Sequence, residues 1–331
     1  MRSKCVLTVA ETHTGGQPTR TVVSGVLKIP GATMWEKYCY AQEHCDWVRT
    51  MVCQEPRGSE IMSGTILTAP CDPEADVGIL HFEAAGWLPM CGHNTIGTCT
   101  AIVEQGLVPV TEPETQITLE TPAGLIRAMV EVENGSAKKV RFLGAPAFPL
   151  LQKAVIHTDE WGELPFDIGW GGSAVAFFSV EPFGRTVCRE NAAFYEGIAN
   201  ALRPEIDRQF PLDHPQLPHI RGISHVAFCQ DDQVMRHVVV GPDGRSDRSP
   251  CGNGTCARAA LLFAEGKLSA GGAFEQHSVI DSVFTCRCVE QVMVGETPAI
   301  IPEISGQAWL TAVSSYVLDP TDTLGRGFLL V

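Results

Sequence analysis

Two near-copies of one short motif constrain this chain more than any other feature. Cys91-Gly92-His93-Asn94-Thr95 and Cys251-Gly252-Asn253-Gly254-Thr255 lie 160 residues apart, and each is followed by an apolar run. Gly106 and Gly266 close the two runs at the same offset, with Glu104 and Glu265 just before them. Such spacing marks a duplicated half, so each copy must build the same kind of unit. With 331 residues, 44% of them hydrophobic and 19% charged, the chain is long enough for two domains with substantial cores.

The first half alternates short β-rich runs with Gly and Pro punctuation, and residues 22–27, 64–68, 78–82, 116–119 and 139–142 read as strands. The exception is 94–105, a helix of about three turns ended by Gly106. Its Ile96, Cys99, Ala101, Ile102 and Val103 leave no polar face, which is the mark of a buried helix. The second half repeats the plan, with strands at 174–180, 222–228 and 233–240, an apolar helix at 254–265, and strands after Ser278. Each half reads as a sheet wrapped around one central helix with a cysteine at its start. The fold class is α+β, with lobes at 1–145 and 146–310 and a Pro-containing linker at 144–149.

A net charge of −14 disfavours nucleic acid and anionic membranes as partners, while leaving room for a local site that holds a small acid. The first ten residues have too short an apolar core for a secretory signal, and no later stretch reaches membrane-spanning length, so the cytoplasm is the default location. Thirteen cysteines are an odd number at irregular spacing, with no C-x-x-C pair. They read as free thiols, neither a disulfide framework nor a zinc site, and no metal is expected.

A helix N-terminus offers unpaired N–H groups and partial positive charge, which favour a thiolate and bind an anion in the same place. Cys91 and Cys251 both occupy that position, with Gly92, Gly252 and Gly254 letting a carboxylate approach the backbone. One cysteine before a helix is more often an inert buried thiol. Two in matching halves, each retaining C-G-x-x-T, point to catalysis on a small acid.

These two segments, extended to Met90–Gly97 and to Asp247–Thr255, resemble the active-site signatures of the proline racemase family, which includes hydroxyproline 2-epimerases. The likeness spans nearly the whole chain and takes in 13–20 (His-Thr-Gly-Gly-Gln-Pro-Thr-Arg), 55–58 (Glu-Pro-Arg-Gly) and 167–172 (Asp-Ile-Gly-Trp-Gly-Gly). It implies a fold like diaminopimelate epimerase: two pseudo-symmetric domains, each a sheet curled around a central helix, with the active site in the cleft and 311–331 returning to the first domain. It implies further that Cys91 and Cys251 act as paired acid and base without a cofactor, inverting the α-carbon of a free imino acid, 4-hydroxyproline first.

In that reading the amides around Gly92, His93, Gly252 and Asn253 hold the carboxylate, Asp247 holds the ring nitrogen, and His93 and His225 reach the substrate. From the residues alone, Asp247 reads first as a turn residue, while His93 reads equally as a helix cap and His225 as a core histidine. The His13–Gly16 stretch reads as a turn, Arg20 and Arg57 as acid binders or loop braces, and Trp87 and Trp170 as core. Asn94, Asn253 and Cys256 depart from the usual family residues, which opens the choice of substrate. Proline racemase and trans-3-hydroxyproline dehydratase are the enzymatic rivals; an imino-acid-binding protein and a thiol redox protein are the rivals of other classes. The expected partner is a small imino acid, with a homodimer compatible.

Overall fold

The structure is a computed structural model that describes residues 5–26, 28–216 and 221–330. It divides into two compact units, residues 1–142 with 306–331, and residues 143–305. The first contains β1 (Cys5–Thr14), β2 (Gln17–Ser24), α1 (Met34–His44), α2 (Asp46–Cys53), β3 (Ser63–Thr68), β4 (Val77–Glu83), the two-residue β5 (Trp87–Leu88), α3 (Gly92–Glu104), β6 (Glu114–Thr121), β7 (Gly124–Glu133) and β8 (Ser136–Leu143). The second contains β9 (Phe148–Thr158), β10 (Gly162–Trp170), β11 (Ala174–Ser179), α4 (Ala192–Gln209), β12 (His225–Asp231), β13 (Met235–Val240), α5 (Gly252–Ala264), β14 (Ala273–His277), β15 (Val283–Val294) and β16 (Thr297–Gly306). The last strand, β17 (Ala308–Leu318), belongs to the first unit.

Strand order reveals the duplication directly. In the first unit the strands run β17-β1-β2-β3-β4-β6-β7-β8, and in the second β9-β10-β11-β12-β13-β14-β15-β16. Along both orders the neighbours are antiparallel, antiparallel, parallel, antiparallel, parallel, antiparallel, antiparallel. Each parallel step needs a crossover. The helices supply them at matching places: α1 and α2 after β2, α4 after β11, α3 before β6, and α5 before β14. The position that β9 fills in the second unit is filled in the first by β17, from the far end of the chain.

Each sheet closes on its helix. α3 packs against β17, β1, β2 and β3 but also β7, and α5 against β9, β10 and β11 but also β15. Strands near both ends of each order therefore touch one helix, which requires the sheet to curl. From His93 to Val103 every α3 side chain is buried. The close fit is set by Gly97, where a Cβ would lie 2.9 Å from Thr12 Oγ1 and 3.1 Å from Thr14 Oγ1. The two-residue turn between β1 and β2 is Gly15-Gly16, with φ of 53° and 90°, as a tight hairpin demands. On the other face of each sheet the cores against α1 and α2 and against α4 are ordinary: Leu7, Val9, Val48, Met51, Leu80 and Phe82 in one unit, and Phe148, Phe178, Tyr195, Leu202 and Phe228 in the other.

Three helices, α1, α2 and α4, run through segments with no helical reading from sequence. A start signal for α1 was present in Thr33-x-x-Glu36: Thr33 Oγ1 accepts from the Glu36 amide at 3.2 Å, and the Glu36 carboxylate accepts from the Ala32 amide at 2.6 Å. Trp35, Tyr38 and Tyr40 obscure it by being mediocre helix formers, and Pro204 interrupts the pattern of α4. The strand expected at 222–228 begins only at His225, because Gly222 takes φ 66°. The strand expected at 22–27 ends at Ser24 in β2, and Leu27 lies outside the described residues. Residues 144–149 pair with β16 through Gly144 N to Pro302 O (2.7 Å) and Ala147 N to Ile300 O (2.8 Å), and the last two open β9. All the cysteines are free thiols, and among the described residues no helix is long and apolar enough to cross a membrane.

Candidate active site

In the first unit, Cys91 is the N-cap of α3, extended at φ −149°, ψ 123°, and its side chain is buried. Its carbonyl is held twice by Thr95, through the amide at 3.0 Å and the hydroxyl at 2.8 Å. That is the physical use of the repeated threonine. The amides of Gly92, His93 and Asn94 precede this first helical bond and so point outward at the positive end of the helix dipole.

His93 lies against the thiol, with Nδ1 3.6 Å and Nε2 3.8 Å from Cys91 Sγ. Its protonation can be assigned from its neighbours. Nε2 is 2.9 Å from Ser63 Oγ, and that hydroxyl donates to Asn94 Oδ1 at 2.7 Å, with Pro18 O a second acceptor at 3.1 Å. Asn94 is oriented in turn by donating from Nδ2 to the carbonyls of Gly64 and Phe82. With the hydroxyl proton directed to these acceptors, Nε2 donates to Ser63, and the sulfur stands beside the ring almost equidistant from its two nitrogens. A base beside a thiol favours the thiolate. The backbone carbonyl of His93 accepts from Thr14 Oγ1 at 2.9 Å, so the 13–16 turn braces the site from β1. Glu83, at the end of β4, brings a carboxylate within 4.8 Å of the Cys91 and His93 donor atoms.

In the second unit, Cys251 caps α5 differently. It has φ 60°, ψ 115°, a left-handed conformation that costs a non-glycine residue about 1–3 kcal/mol and gathers at functional sites. In that conformation its sulfur accepts from the Gly254 amide at 3.4 Å, a contact that favours negative charge on sulfur. The approach is held by a relay: the Cys251 amide donates to Ser249 Oγ (3.2 Å), and Ser249 Oγ and N both donate to Asp247 Oδ1 (3.0 and 3.1 Å). Asp247 therefore does form a turn. Thr255 again bonds back, its amide to Cys251 O at 2.9 Å and its hydroxyl to Pro250 O at 3.0 Å.

The 167–172 motif explains itself here. A Cβ on Gly171 would fall 2.3 Å from the Ala257 amide and 2.4 Å from Asn253 O, so the chain passes against the first turn of α5 only as glycine. Just beyond it, Ser173 Oγ lies 3.3 Å from His225 Nδ1, and Ser224 Oγ lies 2.7 Å away. Nδ1 of His225 is thus held between two hydroxyls, and the Ser224 hydroxyl also meets Ala174 O at 3.1 Å. Burial, aided by the charge of Arg203, drops His225 to about 4, so it is neutral at physiological pH.

Burial alone would make these thiols inert, as it does elsewhere: it pushes Cys99 and Cys229 up to about 12 and Cys53 higher still. Cys91 and Cys251 are distinguished by a neighbouring imidazole and by a backbone amide. The remaining candidates sort themselves by contacts. Arg20 donates to the carbonyls of Val52 and Arg57 and stacks over Tyr316, while Arg57 donates to Gly325 O and Val317 O, so both brace loops. His13 stacks on Trp309, Trp87 donates to Asp46, and Trp170 packs in the second core. Ser63 and Glu83 have no motif to announce them. They come from strands β3 and β4, where they are direct cross-strand partners, Ser63 meeting His93 and Glu83 lying near both the imidazole and the thiol.

The sequence pattern that describes the family "Proline racemase" matches residues 9–329. A 4-hydroxyproline 2-epimerase of Streptosporangium roseum is 41% identical over 333 residues, covering the whole of both chains. A proline racemase of Clostridioides difficile is 39% identical over 324 residues, 97% of each chain. A crystal structure of a hydroxyproline epimerase from Agrobacterium vitis, with bound trans-4-hydroxy-L-proline, shares 32% identity and superposes with a TM-score of 0.90 over all of this chain and 96% of that one. Likeness at this level runs through both cysteine-bearing units without a break, and the chain is accordingly a member of the proline racemase family.

Proposed function

We propose that this protein inverts the α-carbon of a free imino acid, 4-hydroxyproline before proline, by a cofactor-independent two-thiol mechanism. The observation that carries the proposal is the paired setting of Cys91 and Cys251, each at the start of a buried central helix and each given a partner that favours the thiolate. One sulfur takes the α-proton from one face of the substrate, the electron pair moves into the carboxylate, and the other thiol returns a proton from the opposite face. The reverse reaction exchanges their roles. Amides of Gly92, His93, Gly252 and Asn253 take the carboxylate and the charge that develops on it. Asp247 takes the ring ammonium, which must stay charged to acidify the α-carbon. His225, neutral and held at Nδ1 by two serine hydroxyls, reaches the substrate through Nε2.

The ordering of substrates rests on relatives of both names at similar identity and on the neighbour that holds trans-4-hydroxy-L-proline. With a net charge of −14, the protein acts on this small molecule in the cytoplasm, engaging neither nucleic acid nor membrane, and a homodimer is the assembly to examine. Proton NMR in heavy water with proline, trans-4-hydroxy-L-proline and trans-3-hydroxyproline decides the reaction. Exchange with inversion of trans-4-hydroxy-L-proline supports the reading; loss of water from the 3-isomer alone, or no reaction, overturns it.

A further inference from the structure

A thiol, an imidazole and a carboxylate converge in the first unit, and their geometry fits more than proton transfer. Glu83, Cys91 and His93 place one ligand atom each within 4.8 Å of one another. Tetrahedral zinc, with Zn–S of about 2.3 Å and Zn–N of about 2.0–2.1 Å, sets its sulfur and nitrogen ligands roughly 3.6 Å apart. The Cys91 Sγ to His93 Nδ1 distance is 3.6 Å. Cys91 Sγ also stands 3.8 Å from His93 Nε2, so the imidazole must turn to direct its Nδ1 lone pair at an ion held beside the sulfur, while Ser63 meets the opposite ring nitrogen at 2.9 Å. A metal-bound histidine ordinarily has its second ring nitrogen held in this way. Sequence spacing gave no hint of it, because Glu83 is brought from β4 to a Cys-x-His pair at the start of α3.

We propose that Glu83, Cys91 and His93 bind a single thiophilic divalent cation, Zn²⁺ first, and that the bound ion inhibits the protein by occupying the Cys91 sulfur. Binding is a ligand exchange without redox change. Zn²⁺ sheds water, the Cys91 thiol releases its proton to solvent, and the thiolate and carboxylate together neutralise the ion's charge. A three-ligand site leaves the fourth position to water. Binding rests on the donor geometry alone, whereas inhibition rests also on the role proposed for Cys91, so the test reads the two separately.

Metal-free protein is titrated with Co²⁺, and thiolate-to-cobalt absorption is followed in wild type, Cys91→Ser, Cys251→Ser and Glu83→Gln. In parallel, turnover of wild type and Glu83→Gln is measured against buffered free Zn²⁺. Wild type and Cys251→Ser are expected to give the absorption at one ion per chain, Cys91→Ser to lose it, and Glu83→Gln to bind at least tenfold more weakly. Measured against its own metal-free rate, Glu83→Gln should need at least tenfold more Zn²⁺ for half-inhibition, with chelator restoring each protein to its own starting rate. Equal absorption in Cys91→Ser, or a binding midpoint unmoved in Glu83→Gln, would overturn the metal site even if no substrate is turned over. Cobalt binding as expected with turnover indifferent to Zn²⁺ would overturn the inhibition.

Discussion

Cys91 and Cys251 stand in different local surroundings, one beside the His93 imidazole and the other on a strained backbone that aims the Gly254 amide at sulfur. Replacing either by serine leaves the shape of the site but removes a group that can be a base near neutral pH. Cys91→Ser and Cys251→Ser are each expected to lower inversion by about 10²–10⁴-fold or more, with unchanged circular dichroism. Polarimetry on the purified variants checks this. Asp247 has two separable duties, because its Oδ1 holds the turn through Ser249 while the proposed ammonium contact needs negative charge. Asp247→Asn keeps the acceptor and should melt close to wild type while KM rises at least tenfold. Asp247→Ala loses both duties, and losing the charge partner of an enclosed ammonium costs about 3–5 kcal/mol in binding. An Asn variant with wild-type KM would reduce Asp247 to its turn.

At the scale of elements, the helix starts are held by close backbone contacts and buried histidines. Gly171→Ala would drive a methyl into the Ala257 amide and Asn253 carbonyl, and overpacking of this kind costs about 1–3 kcal/mol. A lower melting temperature together with a lower kcat is expected, since the displaced turn carries Cys251. His225 and His237 are both held at about 4, chiefly by burial, against about 6.5 in an unfolded chain. Between those values the unfolded chain binds more protons, so their stabilising effect is full above about 6.5 and is lost as pH falls towards 4. Urea midpoints at pH 7.5 and 5.0 should therefore differ, with the acidic one lower. The central helices and most strands were legible from sequence because their apolar patterns are continuous and end at glycine. α1, α2 and α4 were not, because aromatic residues and Pro204 blur their period. The roles proposed for the two cysteines, Asp247 and His225 come from the repeat and its family likeness. The Ser63–Asn94 relay was not legible, because it joins a strand residue to a helix residue 31 positions away and leaves no local trace.

Across the whole molecule, the duplication is asymmetric in connectivity: the first unit takes its terminal strand, β17, from residues 308–318. β17 pairs with β1 from Cys5 to Thr14, covering an edge that carries the buried Leu7 and Val9. Removing residues 308–331 should leave that edge unpaired and abolish cooperative unfolding, which thermal denaturation of the truncated protein would show. The central claim is that two thiols serve opposite faces of one carbon. It is tested most directly by following the α-hydrogen in heavy water, starting from each epimer of 4-hydroxyproline, in wild type and in both serine variants. Two opposed thiols predict that, early in the reaction, product carries a solvent deuteron while remaining substrate keeps its own proton, and that each variant forms no product from either epimer. Product that retains the substrate's proton, or inversion at near wild-type rate in either variant, would contradict it.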